Sequence, residues 1–248
     1  MRRFFILVAC VFVFCGCENI VNAFGTSLGT HLKREYDFSS YSTTDLTDKL
    51  SADYTTTEQK RNILAEMDKK TGAEIAKLSK DEKNNIISAV AEVTCSTEII
   101  ATIAEEIDFA ALGETNVSSI LSALPDAESF AGINAIANIL DTDKSYVKEE
   151  NITSLSLAAG IMTLHTLSWL NQNRNAFNDD SAFFTKIRNS IEDGNSDSVF
   201  EAAGLLDPEP GSVDAQVKKN LETTLEVLQE MKNFDGFGDS LLGKLLKG

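Results

Sequence analysis

Four side chains recur at spacings of three and four along one stretch of the chain: Met162, His165, Trp169 and Gln172. On an α-helix those spacings fall on one face. The chain has one tryptophan and two histidines, so this face carries the only Trp and one of the two His. An indole offers a stacking surface. The imidazole, the Gln172 amide and the Arg174 guanidinium just downstream offer polar fixing. Together these make the inventory of a small-solute pocket. The competing reading is a core helix whose histidine bonds a backbone carbonyl.

Other chemistry is scarce. His31 lies far upstream in a Ser/Thr/Gly-rich stretch, so a nucleophilic triad would have to recruit His165. Gly25-Thr26-Ser27-Leu28-Gly29 has the Gly-x-Ser-x-Gly spacing, but it lies in that same stretch with no strand-to-helix pattern around it to form an elbow. His-Glu-x-x-His, Cys-x-x-Cys and phosphate-loop patterns are absent, which argues against zinc and nucleotide chemistry. Glu105 and Glu106 are adjacent, about 100° apart on a helix, and read as a solvated face rather than an acid–base pair. Two stretches approach a calcium loop. Asp193-x-Asn195-x-Asp197 has Ser198 at position six and Gly204 at twelve, and Asp141-x-Asp143-x-Ser145 has Tyr146 and Ile152 there. Both fail at the glycine and at the bidentate glutamate, so they read as turns and caps. No catalytic residue, metal site or cofactor is expected, and the chain reads as a non-enzyme.

The elements that would position these residues are helices. Only three prolines interrupt 248 residues, and no segment alternates as a strand does. Ile63, Leu64 and Met67 mark one apolar stripe. Ser79-Lys80-Asp81-Glu82 is a capping box that opens a second helix with Ile86, Ile87, Val90 and Val93 inward. Cys95 is expected on that helix as a buried thiol, with a break at Ser96-Thr97. Ile99, Ile100, Ile103 and Ile107 form the next stripe, and Ile120, Leu121 and Leu124 a short helix ended by Pro125. Asp126 is expected to cap a helix that turns Phe130, Ile133, Ala137 and Leu140 inward. Leu155–Leu170 carries no charge and is apolar on every side, which predicts a helix buried all round. It is shorter than the ~20 apolar residues a membrane span needs. Phe183, Phe184, Ile187 and Ile191 precede a stop at Gly194, and Val199, Phe200, Ala203 and Leu206 read as a short helix. Asp207-Pro208-Glu209-Pro210-Gly211 is the clearest loop. Ser212 then caps a long helix with Val213, Val217, Leu221, Leu225, Leu228 and Met231 on one side. The fold class read from this is all-α: an irregular multi-helix bundle with a central apolar helix.

The N-terminus carries a different signal. Arg2 and Arg3 precede an unbroken apolar run, Phe4 to Cys15, and Gly16-Cys17 sets a small residue before a cysteine. The run has about 12 residues, too few to span a bilayer as a helix. This stretch resembles the lipobox of bacterial lipoproteins, and only the N-terminus does so. Gly16 and Cys17 fit that pattern, whereas Phe14 and Cys15 stand where it usually has leucine and a small residue. The resemblance implies cleavage before Cys17, acylation of Cys17, and attachment to a membrane by two or three acyl chains. It also implies residence in a bacterial cell envelope. Glu18, where an aspartate would favour the inner membrane, points to the outer one.

The organisation follows: 1–16 a signal peptide, 17–43 a lipid-anchored tether, 44–235 a helical domain, and 236–248 a tail rich in Leu, Lys and Gly. A flexible tether of that length reaches about 28 Å. Removing Arg2 and Arg3 leaves 20 basic against 38 acidic residues, a net charge of −18. A polyanion would be repelled, so nucleic acid is excluded as a partner. Cys10 and Cys15 leave with the signal and Cys17 is blocked, so Cys95 has no intrachain partner. The expectation is a membrane-anchored envelope lipoprotein acting through a protein partner. The alternative is a periplasmic solute-binding or transport-accessory lipoprotein with its pocket at Trp169.

Overall fold

A computed structural model of the chain describes residues 37–100, 124–143, 145–172, 186, 189–190, 193–202 and 207–239. The chain divides into two units, Met1–Asp37 and Phe38–Gly248, and the described helices belong to the second. Among the described residues every regular element is helical and none is a strand.

Four helices open the unit: α1 (Thr43–Leu50), α2 (Thr57–Met67), α3 (Gly72–Ala76) and α4 (Lys80–Thr94). Each begins with the same local device. Ser42 and Asp45, Thr56 and Gln59, Thr71 and Glu74, and Ser79 and Glu82 satisfy one another's backbone N–H groups as complete capping boxes. The α4 box is the one expected from the sequence. A cap of this kind contributes about 1 kcal/mol. Helices this short are not stable alone, so packing must supply the rest. It does so through Leu46 and Leu50, through Ile63, Leu64 and Met67, through Ile75, and through Ile86, Ile87 and Val90, all buried. Phe38 is buried as well and meets Tyr41 edge-on. The folded unit therefore takes in the last residues of the stretch expected to be tether.

Next come α5 (Ile133–Thr142), α6 (Ile152–Gln172), α7 (Asp197–Ala202) and α8 (Val213–Met231). The apolar segment Leu155–Leu170 lies within α6. Its side chains are buried on all sides, Leu155, Ala159, Ile161, Met162 and Leu170 completely so. α6 packs against α8, α4 and α5 and against the short turns at Ala127–Ser129 and Glu149–Asn151. It is the central helix expected from the sequence. Close approach matters at one point on it: a Cβ at Gly160 would lie 2.7 Å from Ile100 Cδ1. No helix among the described residues is long and apolar enough to cross a membrane.

Two local expectations are corrected. Asp126 makes no side-chain cap and opens only a single turn, Ala127–Ser129. The chain breaks at Phe130 and turns at Gly132, whose φ of +91° is left-handed, before α5 begins. Cys95 is not buried within α4 but exposed at its C-terminus, with φ +51°. The left-handed turn throws the thiol outward. Thr94 and Ser96 on either side are buried and share a hydrogen bond, and the helix resumes over 96–100.

Candidate functional site

The face expected to form a pocket is present on α6, and its neighbours come from other elements. Met162 is fully buried. His165 is 7% exposed, and the Phe130 ring meets its ring edge-on at a centroid distance of 5.4 Å. Trp169 is buried and stacks on Phe200 of α7, with centroids 5.8 Å apart and planes 22° apart. Gln172 is exposed, and its Nε2 donates to Asp126 Oδ1 at 3.1 Å. Arg174 and Cys17 lie outside the described residues, as do His31, Glu105 and Glu106. The structure thus places Met162, His165 and Trp169 in the core and Gln172 at its edge.

The carbonyl that a core histidine usually finds is missing at one nitrogen of His165. Its Nδ1 is buried and has no hydrogen-bond partner. Burial alone holds the imidazole down at about 4, so the ring is neutral at pH 7. One turn on, Ser168 Oγ is also buried and unpartnered.

A second titratable group lies at the other end of the loop that covers His165. Asp68, at the C-terminus of α2, accepts from three backbone N–H groups: Gly132 at 2.7 Å, Asn134 at 2.8 Å and Ala135 at 3.0 Å. It caps α5 from a distance, where Gly132 has no side chain to do so. The cost of burial pushes the carboxyl up to about 6, with the three amides pulling against that rise. Sequence reading misses Asp68. No spacing rule links it to a helix that begins some 65 residues later.

A third cluster joins α3, α4 and the segment after α5. Lys83, 3% exposed, donates to Asp143 Oδ2 at 2.6 Å and to the Ala76 carbonyl at 3.1 Å. Its ammonium also sits 6.0 Å from the centre of the Tyr146 ring. The hydroxyl of Tyr146 donates to Asn84 Oδ1, and burial raises this phenol to about 12. An ammonium therefore occupies the carboxylate that one calcium-like stretch would offer a metal. In the other such stretch, Asn195 Oδ1 accepts from the Asp197 N–H, and Asp197 pairs with Lys218 at 3.1 Å. Among the described residues no group of three or more His, Cys, Asp or Glu side chains is placed to hold a metal ion.

The chain matches no known family. Neither a protein-family model, nor a curated protein, nor a solved structure is similar to it. Any function therefore rests on its own residues.

Proposed function

We propose that the protein is a bacterial envelope lipoprotein, held to a membrane by acyl chains on Cys17 and acting without catalysis through contact with a protein partner. The observation that carries this reading is the N-terminal pattern: Arg2-Arg3, the apolar run Phe4–Cys15, then Gly16-Cys17. Two or three acyl chains, at about 0.8 kcal/mol per buried methylene, give stable anchoring where a single chain binds only marginally. A domain so held needs no membrane-binding face of its own. In keeping with that, Tyr54 and Val213 are the only large apolar side chains that are strongly exposed among the described residues. The net charge of −16 on the whole chain repels anionic lipid and favours a partner that presents basic groups.

The test is the intact mass and detergent partitioning of the protein from its native host, beside Cys17→Ala. Acyl mass on an N-terminal Cys17, lost in the variant together with detergent partitioning, supports the reading. A water-soluble chain cleaved elsewhere removes it. The solute-binding alternative draws on the same face of α6, and there the Trp169–Phe200 and His165–Phe130 ring pairs would have to part to admit a ligand.

A further inference from the structure

Residues 124–132 lead into α5 as a covering stretch of chain. Its only regular structure is the turn Ala127–Ser129, closed by bonds from the Ser129 N–H to the Asp126 carbonyl and from the Phe130 N–H to the Ala127 carbonyl. Three anchors hold it. Gln172 grips Asp126, the ring of Phe130 lies on His165, and Asp68 grips the amide of Gly132. The outer two are hydrogen bonds. The middle one is an apolar contact laid over a histidine whose Nδ1 has no partner.

We propose that this segment is an acid-released strap: a proton taken up by His165 lifts Phe130 from α6 about a hinge at Gly132, while Asp68 keeps the far end in place. Among the described residues, a charged imidazole in that position has no acceptor for its Nδ1–H and no carboxylate in an ion pair with it. Water must reach it, and the strap is what bars the way. Burial is the sole cause of the ring's low proton affinity. Among the described residues, the charged groups on the surrounding elements do not offset it. On the strap, Asp126 and Glu128 are exposed, as are Glu149 and Glu150 before α6. On α4, Lys83 is committed to Asp143 and Glu92 to Lys60, and on α5 Asp141 pairs with Lys219 of α8. Asp197 of α7 pairs with Lys218, while Glu201, Glu222, Glu226 and Glu230 are exposed. Gly132 is suited to the hinge because its left-handed φ is already one that few other residues adopt. Asp68 responds to acid in the opposite sense. Its proton affinity is raised by the closed arrangement, so acid favours the closed grip at that end.

The direction follows from linkage. The ring binds a proton more weakly under the strap, at about 4, than in the open, at 6.5. The closed state is therefore fully favoured above pH 6.5 and loses ground as pH falls toward 4. Between pH 7 and 4.5 the opened fraction should rise on the order of fifty- to a hundredfold.

Hydrogen exchange on the full-length chain, corrected for the intrinsic rate at each pH, measures that fraction directly. Protection at the amides of Ser129, Phe130 and Ala131 is expected to fall by that factor between pH 7 and 4.5. α5 and α8 should keep theirs. His165→Gln, which retains a polar side chain but cannot charge, is expected to show no such fall, and His165→Phe serves as a second neutral variant should Gln disturb packing. Equal loss of protection in all helices, persistence of the local loss in the neutral variants, or an unchanged strap in the native chain would each overturn the proposal.

Discussion

Asp68 and His165 are the two ionisable groups that burial shifts most at the junction of α2, α5 and α6, and the chain treats them in opposite ways. Asp68 is given three backbone donors and becomes the cap of a helix far along the chain. His165 is given an aromatic edge and nothing for its Nδ1. Burial drives both toward the neutral form, Asp68 up to about 6 and His165 down to about 4. For an acid and a base, however, neutrality has opposite consequences for pH. Asp68 contributes stability that is fully present below its unfolded value of 3.8 and is lost as pH rises through 6. His165 contributes stability that is present above 6.5 and is lost as pH falls through 4. Between pH 4 and 6 the two oppose each other, so the contrast is one of partnered against unpartnered polarity and also of sign.

Removing the partnered group should cost most. Asp68→Ala leaves three amides at the start of α5 without an acceptor, and we expect a loss of about 3 kcal/mol in urea unfolding at pH 7. A loss below about 1 kcal/mol would mean that water replaces the carboxylate and that the two groups differ less than their geometry implies.

Next in size are the pH slopes. Asp68→Asn removes the group that gains from acid, so its stability should fall more steeply than that of the native chain from pH 6 to 4. His165→Gln removes the group that loses, so its stability should fall less, or rise, over the same range. Chemical denaturation at four pH values would show the crossing. A slope displaced from the native one in the same direction in both variants would break the comparison.

A local cap should matter less than the distant one. Thr56→Ala abolishes one capping box on α2, with an expected cost of about 1 kcal/mol in the same assay. The smallest effect is expected at Cys95. A side chain with φ +51° is strained, and Cys95→Gly should stabilise the chain by about 0.5 kcal/mol, read as a small rise in Tm.

What the sequence makes legible depends on the distance over which each decision is taken. The Ser79–Glu82 box and the Ser212 cap are written within four residues, and both are found. The all-round burial of α6 is written in its own composition. The α5 cap is not legible, because Gly132 offers no side chain and Asp68 is drawn in by the tertiary fold alone. The same limit applies to the candidate pocket. Helical spacing puts Met162, His165 and Trp169 on one face, but Phe130 and Phe200, which meet that face, arrive from segments with no spacing relation to it. Cys95 is misread from sequence because its neighbours Val90, Val93 and Ile99 are apolar, while a single left-handed residue decides which way the thiol points.

The position of α6 in the chain order has a consequence for how the protein comes into being. A helix of 21 residues is a rod about 31 Å long, and this one has no polar side to show to water. α4 and α5 precede it, but α8, a principal part of its cover, is made afterwards. A chain emerging from its N-terminus therefore exposes its most water-averse segment before the last wall exists. A premature stop anywhere between 173 and 212 would leave that segment without the cover of α8. We expect such truncated chains to be insoluble or swiftly degraded rather than partly active.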